Sequence, residues 1–389
     1  MTTSASRLSA VTATVLLLLL TACSATAPPA PTATPPPPAP SATVSSAAHP
    51  VPAPSATRAP AASPRPAIAL PSVGPTASAT AAPATPVPSP SPSPTPRPAP
   101  TLEAIGPVAP IAVLVDNIAE ARPHSGLADA DVVYEAPAEG GIPRLMPIYF
   151  TASPTRVGPV RSARHYYVYL AAEYGAALVH IGASPQGFQA LSLTALPDVD
   201  EIRNGPGFSR DRRRYAPHNA YINLAAVRQA LEAAGTTLHG SPGGLEFGSA
   251  SPPADGQPLE SLEIDYPGGE RYVVQYTYDG EARTYLRGMD GAPHRDAETG
   301  QQYAARAVIV QFVPAPEIAG DDKGRLDVEV VGEGKGLLAL DGQLYPITWS
   351  KAGPAEPTHY RYADGGPVVL PRGQVWIQIA PDDSKINTR

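Results

Sequence analysis

The sequence predicts an α+β fold, with an N-terminal α/β-type subdomain and then a β-rich C-terminal subdomain, both behind a disordered Pro-rich tether. Three observations predict it. Of the 51 prolines in 389 residues, 25 fall in residues 24–101, a tract with no aromatic and no acidic side chain. Between residues 104 and 235, short apolar runs are interleaved with helix-period stripes. Beyond residue 260 the pattern is mostly strand-length runs punctuated by turn residues. A tract with proline at about a third of its positions cannot bury enough apolar surface to offset the entropy of ordering it. One large globule is therefore excluded, and the folded part is confined to the remainder of the chain.

Residues 1–23 read as a signal peptide. Arg7 gives a minimal positive region, Val11 to Leu20 an apolar core too short to span a bilayer as a helix, and Leu20-Thr21-Ala22-Cys23 a match to the bacterial lipobox. Acylation of Cys23 is expected, with membrane lipid as its partner and an extracytoplasmic, lipid-anchored location for the rest. Cys23 is the one cysteine of the chain. Disulfides, cysteine catalysis and cysteine-type zinc sites are thus excluded from the folded part. Residues 24–103 form the tether, in which alternating prolines remove amide donors and favour polyproline II. Extended at ~3.1 Å per residue, it would reach roughly 240 Å.

The N-terminal subdomain is placed at 104–238. Ile111 to Val115, Asp131 to Tyr134, Leu145 to Phe150 and Ala177 to Ile181 read as strands. Ala163 to Tyr174 reads as a helix, since Tyr166, Leu170 and Tyr174 share one face. Ser184-Pro185 supplies an N-cap and first-turn proline for a helix ending near Leu193. Asn223 to Ala234 carries the stripe Leu224, Val227 and Leu231, with Gly235 as a C-cap. Residues 239–259 are Gly, Pro and Ser rich and read as a connection. The β-rich subdomain follows at 260–382, with runs at 271–278, 282–287, 307–312, 326–331, 336–340, 344–349, 359–362 and 374–379. Asp279-Gly280 and Asp341-Gly342 sit at hairpin positions.

Residues 102–389 hold 24 basic and 35 acidic side chains, a net charge of −11. That balance argues against nucleic acid as a partner. In the whole chain arginine outnumbers lysine 24 to four, which suits bidentate grip on carboxylate or phosphate. Polar groups gathered beside Gly and Pro turns in the first half give the ligand-binding candidates: Asp116, Asn117, Arg122, Glu135, Arg161, Arg164, Arg212 and His218. An anionic cell-wall ligand or an envelope protein is the expected partner. The competing expectation is a wall-active hydrolase or transferase, with His180 or His218 as base and Asp116, Glu135 or Glu139 as its carboxylate partner. No histidine pair has the spacing of a helical metal site, so neither metal nor cofactor is expected. Gly182 to Gln186 lacks the closing glycine of a nucleophile elbow, and a helix-capping role for Ser184 explains it equally. Gly332 to Gly336 reads as a hairpin turn, without the strand-loop-helix setting of a phosphate loop.

Together these groups resemble the YerB-like lipoprotein family, whose two halves are catalogued as a domain of unknown function. The strings that carry the resemblance are Asp116-Asn117, Ala121 to Leu127, Ala130 to Glu139, Arg156 to Arg164, Val179 to Gly182 and Arg210 to Asn219. In the second half, Pro293-His294, Gly324 to Val328, Gly332 to Gly336 and Trp376 to Ile379 extend it. The resemblance covers roughly residues 104–382. It implies a bacterial envelope lipoprotein with an N-terminal α/β part and a C-terminal β-rich part, and it brings no established catalytic residue.

Overall fold

The structure is a computed structural model, and it describes residues 101–103, 105–106, 108–268 and 272–389. Cys23 and the tether up to residue 100 lie outside the described residues. The first half supplies strands β1 (Ile111–Val113), β2 (Val132–Ala136), β3 (Arg144–Tyr149), β4 (Ala177–His180), β5 (Asp198–Asp200), β6 (Phe208–Arg210) and β7 (Ala220–Ile222). Its helices are α1 (His165–Ala172), α2 (Pro185–Thr194) and α3 (Leu224–Ala233). The second half adds β8 (Ser261–Tyr266), β9 (Tyr272–Asp279), β10 (Thr284–Met289), β11 (Ala307–Val313) and β12 (Gly332–Leu340). It closes with β13 (Gln343–Lys351), β14 (Thr358–Tyr362), β15 (Val375–Pro381) and β16 (Lys385–Thr388). The fold is a β-rich α+β fold.

The helices form where capping and stripe predict them. The Ser184 side chain accepts from the Gly187 amide at 3.0 Å, with Pro185 in the first turn of α2. Asn223 does the same for the Ala226 amide of α3. Tyr166, Leu170 and Tyr174 are all buried in one core cluster.

One mixed sheet of eleven strands takes its members from both halves. Across it the order is Gln257–Pro258, β13, β12, β11, β15, β2, β3, β1, β4 and β5, with β14 paired to β13. The join is β15, which lies parallel to β11 on one side and parallel to β2 on the other. Its register sets Trp376 against Val133 and Gln378 against Glu135. Every residue of β2, β3 and β15 is buried, because this sheet is covered on both faces. The smaller sheet, with β10, β9, β8 and β16 in that order, packs its inner face on the large one through Tyr276, Tyr285 and Trp376. Its strands β8 and β10 alternate buried and part-exposed residues, as expected of a sheet with one solvated face.

Several local expectations change. The segment 239–259 carries two short strands, Glu246–Ser249 and Gln257–Pro258. Residues 326–331 do not form a strand, although Val328 and Val330 are buried. Asp341 and Gly342 both take positive φ, as a two-residue hairpin requires. Asp279-Gly280 does not. That turn runs to Arg283, and Arg283 is its left-handed residue. Gly332 to Gly336 opens β12 instead of making a turn. A Cβ on Gly334 would fall 2.6 Å from the indole nitrogen of Trp349, which donates to the Phe312 carbonyl at 3.0 Å.

The capping role of Ser184 is testable. Ser184→Ala should lower stability by about 1 kcal/mol in urea denaturation, and Ser184→Asp should retain most of it.

Candidate functional site

Strand β1 delivers the chain to Asp116, whose amide donates to the Pro159 carbonyl at 2.9 Å. Its buried carboxylate receives two partners on one oxygen: His218 Nδ1 at 2.7 Å and Arg161 Nε at 3.5 Å. His218 and Arg161 are themselves part-exposed. Among the described residues, neither His218 Nε2 nor the guanidinium end of Arg161 has a hydrogen-bond partner. An oriented imidazole and a cation therefore meet at the surface over a fixed negative charge. This set can bind an anion or move a proton.

Behind it runs a buried chain of polar contacts. Arg287 on β10 is fully buried, with Nη2 donating to Glu135 Oε2 at 2.7 Å, Nη1 to the Tyr276 hydroxyl at 2.6 Å and Nε to His294 Nδ1 at 3.0 Å. Its guanidinium also lies 4.3 Å from the Trp376 ring centroid. Arginine can only donate, so His294 Nδ1 accepts and the His294 proton sits on Nε2. That proton is given to His124 Nδ1 at 2.8 Å, and His124 Nε2 in turn donates to the Asp116 carbonyl at 2.7 Å. Both imidazoles are thus neutral. Burial lowers His124 to about 3, helped by the nearby Arg122 and Arg287 charges. Burial likewise holds His294 well below the ordinary imidazole value. The remaining oxygen of Glu135 accepts from Asn117 Nδ2 at 3.1 Å.

Of the sequence-predicted residues, the structure brings Asp116, Arg161 and His218 together. It gives the others different partners: Asn117, next to Asp116, turns its side chain to Glu135. Glu135 is buried with both oxygens engaged, so no ligand reaches it. His180 is buried between the Gly182 carbonyl at 2.8 Å and Asp198 Oδ1 at 2.7 Å, which leaves neither ring nitrogen free to act as a base. Arg164 pairs with Glu139, which also takes Arg144 at 3.0 Å. Arg122 bonds the Asn117 carbonyl and pairs with Asp290 at 2.8 Å. Arg212 is exposed on the loop after β6. The four arginines do not converge, because three of them meet carboxylates on three different elements.

Sequence reasoning missed Arg287 and His294 as members of this network. A signal for Arg287 was present: it shares strand parity with the buried Tyr285 and Met289. Cavities of about 390 Å³ and 450 Å³ open elsewhere, the first beside Asp131 and Phe150, the second beside Arg283, Arg306 and Asp341. Among the described residues no group of His, Cys, Asp and Glu is arranged to hold a metal ion.

Residues 99–237 match the N-terminal domain, and residues 262–377 the C-terminal domain, of a protein of unknown function, DUF3048. The Bacillus subtilis (strain 168) protein named "Putative lipoprotein YerB" is 34% identical over 279 residues, which covers 70% of this chain and 81% of that protein. This chain belongs to the YerB-like family. The crystal structure of YerB from Bacillus subtilis is similar with a TM-score of 0.64 at 32% identity, covering 72% of this chain and 94% of that one. The Asp116 group and the buried chain behind it lie within the two matched segments.

Two outcomes follow from the buried chain. In the unfolded state His124 takes up a proton near pH 6.5, whereas in the fold it stays neutral down to about 3. Its contribution is therefore complete above pH 6.5 and lost as pH falls toward 3. Urea midpoints measured from pH 8 to pH 4 should drop across that window, with a shallower drop in His124→Gln. Glu135→Ala leaves the buried Arg287 charge unpaired and should cost about 3–5 kcal/mol in the same measurement.

Proposed function

We propose that this chain is an extracytoplasmic lipoprotein, held to the membrane by lipid on Cys23, whose folded region binds an anionic group of the cell envelope through Arg161 and His218. Residues 1–23 act as its signal peptide and residues 24–100 as its spacer; the expected spacer end at 103 is too late, because Thr101 and Leu102 already pair with Ser249 and Gly248 of the folded region. The segments 104–238 and 260–382 together build the binding region. The single observation that supports the site is the shared oxygen of Asp116. Its contacts with His218 at 2.7 Å and Arg161 at 3.5 Å leave the outer nitrogens of both side chains unspent. The folded region is acidic overall, yet the loop that carries His218 also carries Arg212, Arg213 and Arg214. A guanidinium with free N–H groups suits carboxylate or phosphate oxygens.

The His218–Asp116 hydrogen bond also favours a second reading. A carboxylate that orients one imidazole nitrogen leaves the other as a general base, here for a water molecule in hydrolysis of a wall polymer. Release of fragments from purified cell wall, abolished in His218→Gln and retained in Arg161→Gln, would favour this reading over binding.

Titration of the full chain with inorganic phosphate, followed by the His218 imidazole resonance, tests the first reading. Arg161→Gln should weaken binding by about tenfold or more, the scale of one lost charge-assisted hydrogen bond. An unchanged titration in Arg161→Gln would remove Arg161 from the site.

A further inference from the structure

The loop after β6 carries His218 at one end and a different set of side chains at its tip. Tyr215 is 90% exposed, far more than any other large apolar side chain among the described residues. Arg212 is exposed beside it, and the side chain of Arg213 is 86% exposed. Among the described residues, the side chains of Arg212 and Tyr215 have no hydrogen-bond or ion-pair partner. Nothing in the fold accounts for these two residues.

The base of the same loop is tightly held. Asp211 pairs with Arg156 at 2.8 Å, and Arg156 pairs in turn with Glu298 at 2.9 Å and stacks on the Tyr221 ring. Arg214 donates to the carbonyls of Ala121 and Pro123 at 2.8 and 3.0 Å. The His218 amide donates to the Tyr215 carbonyl at 3.0 Å, and the Asn219 side chain donates to the Asp211 and Arg214 carbonyls. The tip is thus presented by a preorganised frame, which lowers the entropic cost of engaging a partner. Arginine and tyrosine are the side chains most often found to dominate binding energy. The local charge is positive on a region whose net charge is −11, so the partner that matches it is anionic and kept off the other faces by repulsion.

We propose that Arg212 and Tyr215 form a docking tip for an anionic envelope glycopolymer, one whose phosphate or carboxylate groups recur along a sugar or polyol chain. A repeating polymer fits because Arg212, Tyr215 and His218 lie on one loop, so that groups recurring along a chain can meet both ends of it, and the exposed tyrosine ring adds a flat apolar face. The choice of a negative partner rests on the anion-binding reading of Arg161 and His218. The tip itself is assigned on exposure and preorganisation.

The test measures binding of the full chain at 150 mM salt to poly(glycerol phosphate) and to polygalacturonate, with neutral dextran of equal length as control. The double variant Arg212→Ser, Tyr215→Ser should lose about tenfold or more in affinity for at least one charged polymer. Its thermal midpoint and its inorganic phosphate titration should stay as in the unsubstituted chain, since neither side chain has a hydrogen-bond or ion-pair partner among the described residues. Equal polymer affinity for variant and unsubstituted chain overturns the proposal. So does tighter binding to polyglutamate or to phosphatidylglycerol vesicles than to either polymer. Unchanged phosphate binding in Arg161→Gln, with polymer binding still lost in the double variant, would count against the Arg161 site and support the tip by itself.

Discussion

The ion pair between Glu135 and Arg287 is the constraint on which the rest of the fold depends. Both side chains are fully buried, and 152 residues separate them in sequence. Removing two charges from water is costly, and only close geometry with every remaining donor and acceptor satisfied offsets it. The structure supplies most of that compensation with Tyr276, His294, Asn117 and the face of Trp376, while Asn117 Oδ1 stays buried without a hydrogen-bond partner among the described residues. Each of those groups comes from a different stretch of the chain. The two halves matched by the family therefore depend on each other: a half folded by itself would hold an unpaired charge in its core.

Strand β15 makes this arrangement reachable. By sliding in between β11 and β2 it turns two sets of strands into one sheet and sets Gln378 level with Glu135. Gln378 then bonds the hydroxyls of Tyr266 and Tyr276, which close the polar pocket from the smaller sheet. From this centre the two neutral histidines carry the connection out to the main chain of Asp116. The surface pair His218 and Arg161 stands on that residue. A group at the surface is positioned, through one carboxylate, by a core that spans the whole folded region.

Much of the fold was legible in the sequence, for local reasons. Ser184-Pro185 and the Leu224, Val227, Leu231 stripe mark helices because caps and 3.6-residue periods act within a few residues. Asp341-Gly342 marks a hairpin because both positions need positive φ. Where the reading missed, long-range packing had decided. Gly332 to Gly336 lies in a strand paired with Ile347 to Lys351, and Gly334 leaves bare backbone beneath the Trp349 indole. Residues 326–331 pack two valines without joining a ladder. For the candidate site, the sequence brought forward Asp116, Arg161 and His218 along with Asn117, Arg122, Glu135, Arg164, Arg212 and His180, and nothing local separated the two groups.

Composition by itself divided this protein into a proline-rich tract without aromatic or acidic residues and an acidic folded region, and its matching strings pointed to the family. Alternation and capping placed the strands and helices, because backbone geometry dictates which neighbours share a face. Only the tertiary structure decided which charges are consumed by the fold and which remain available. An arginine on a known face still has no known partner until the chain closes. Arg122 meets Asp290 across 168 residues, whereas Arg161 finds an oxygen it must share with His218. Ion pairing depends on distance in space, and strand order sets that distance here.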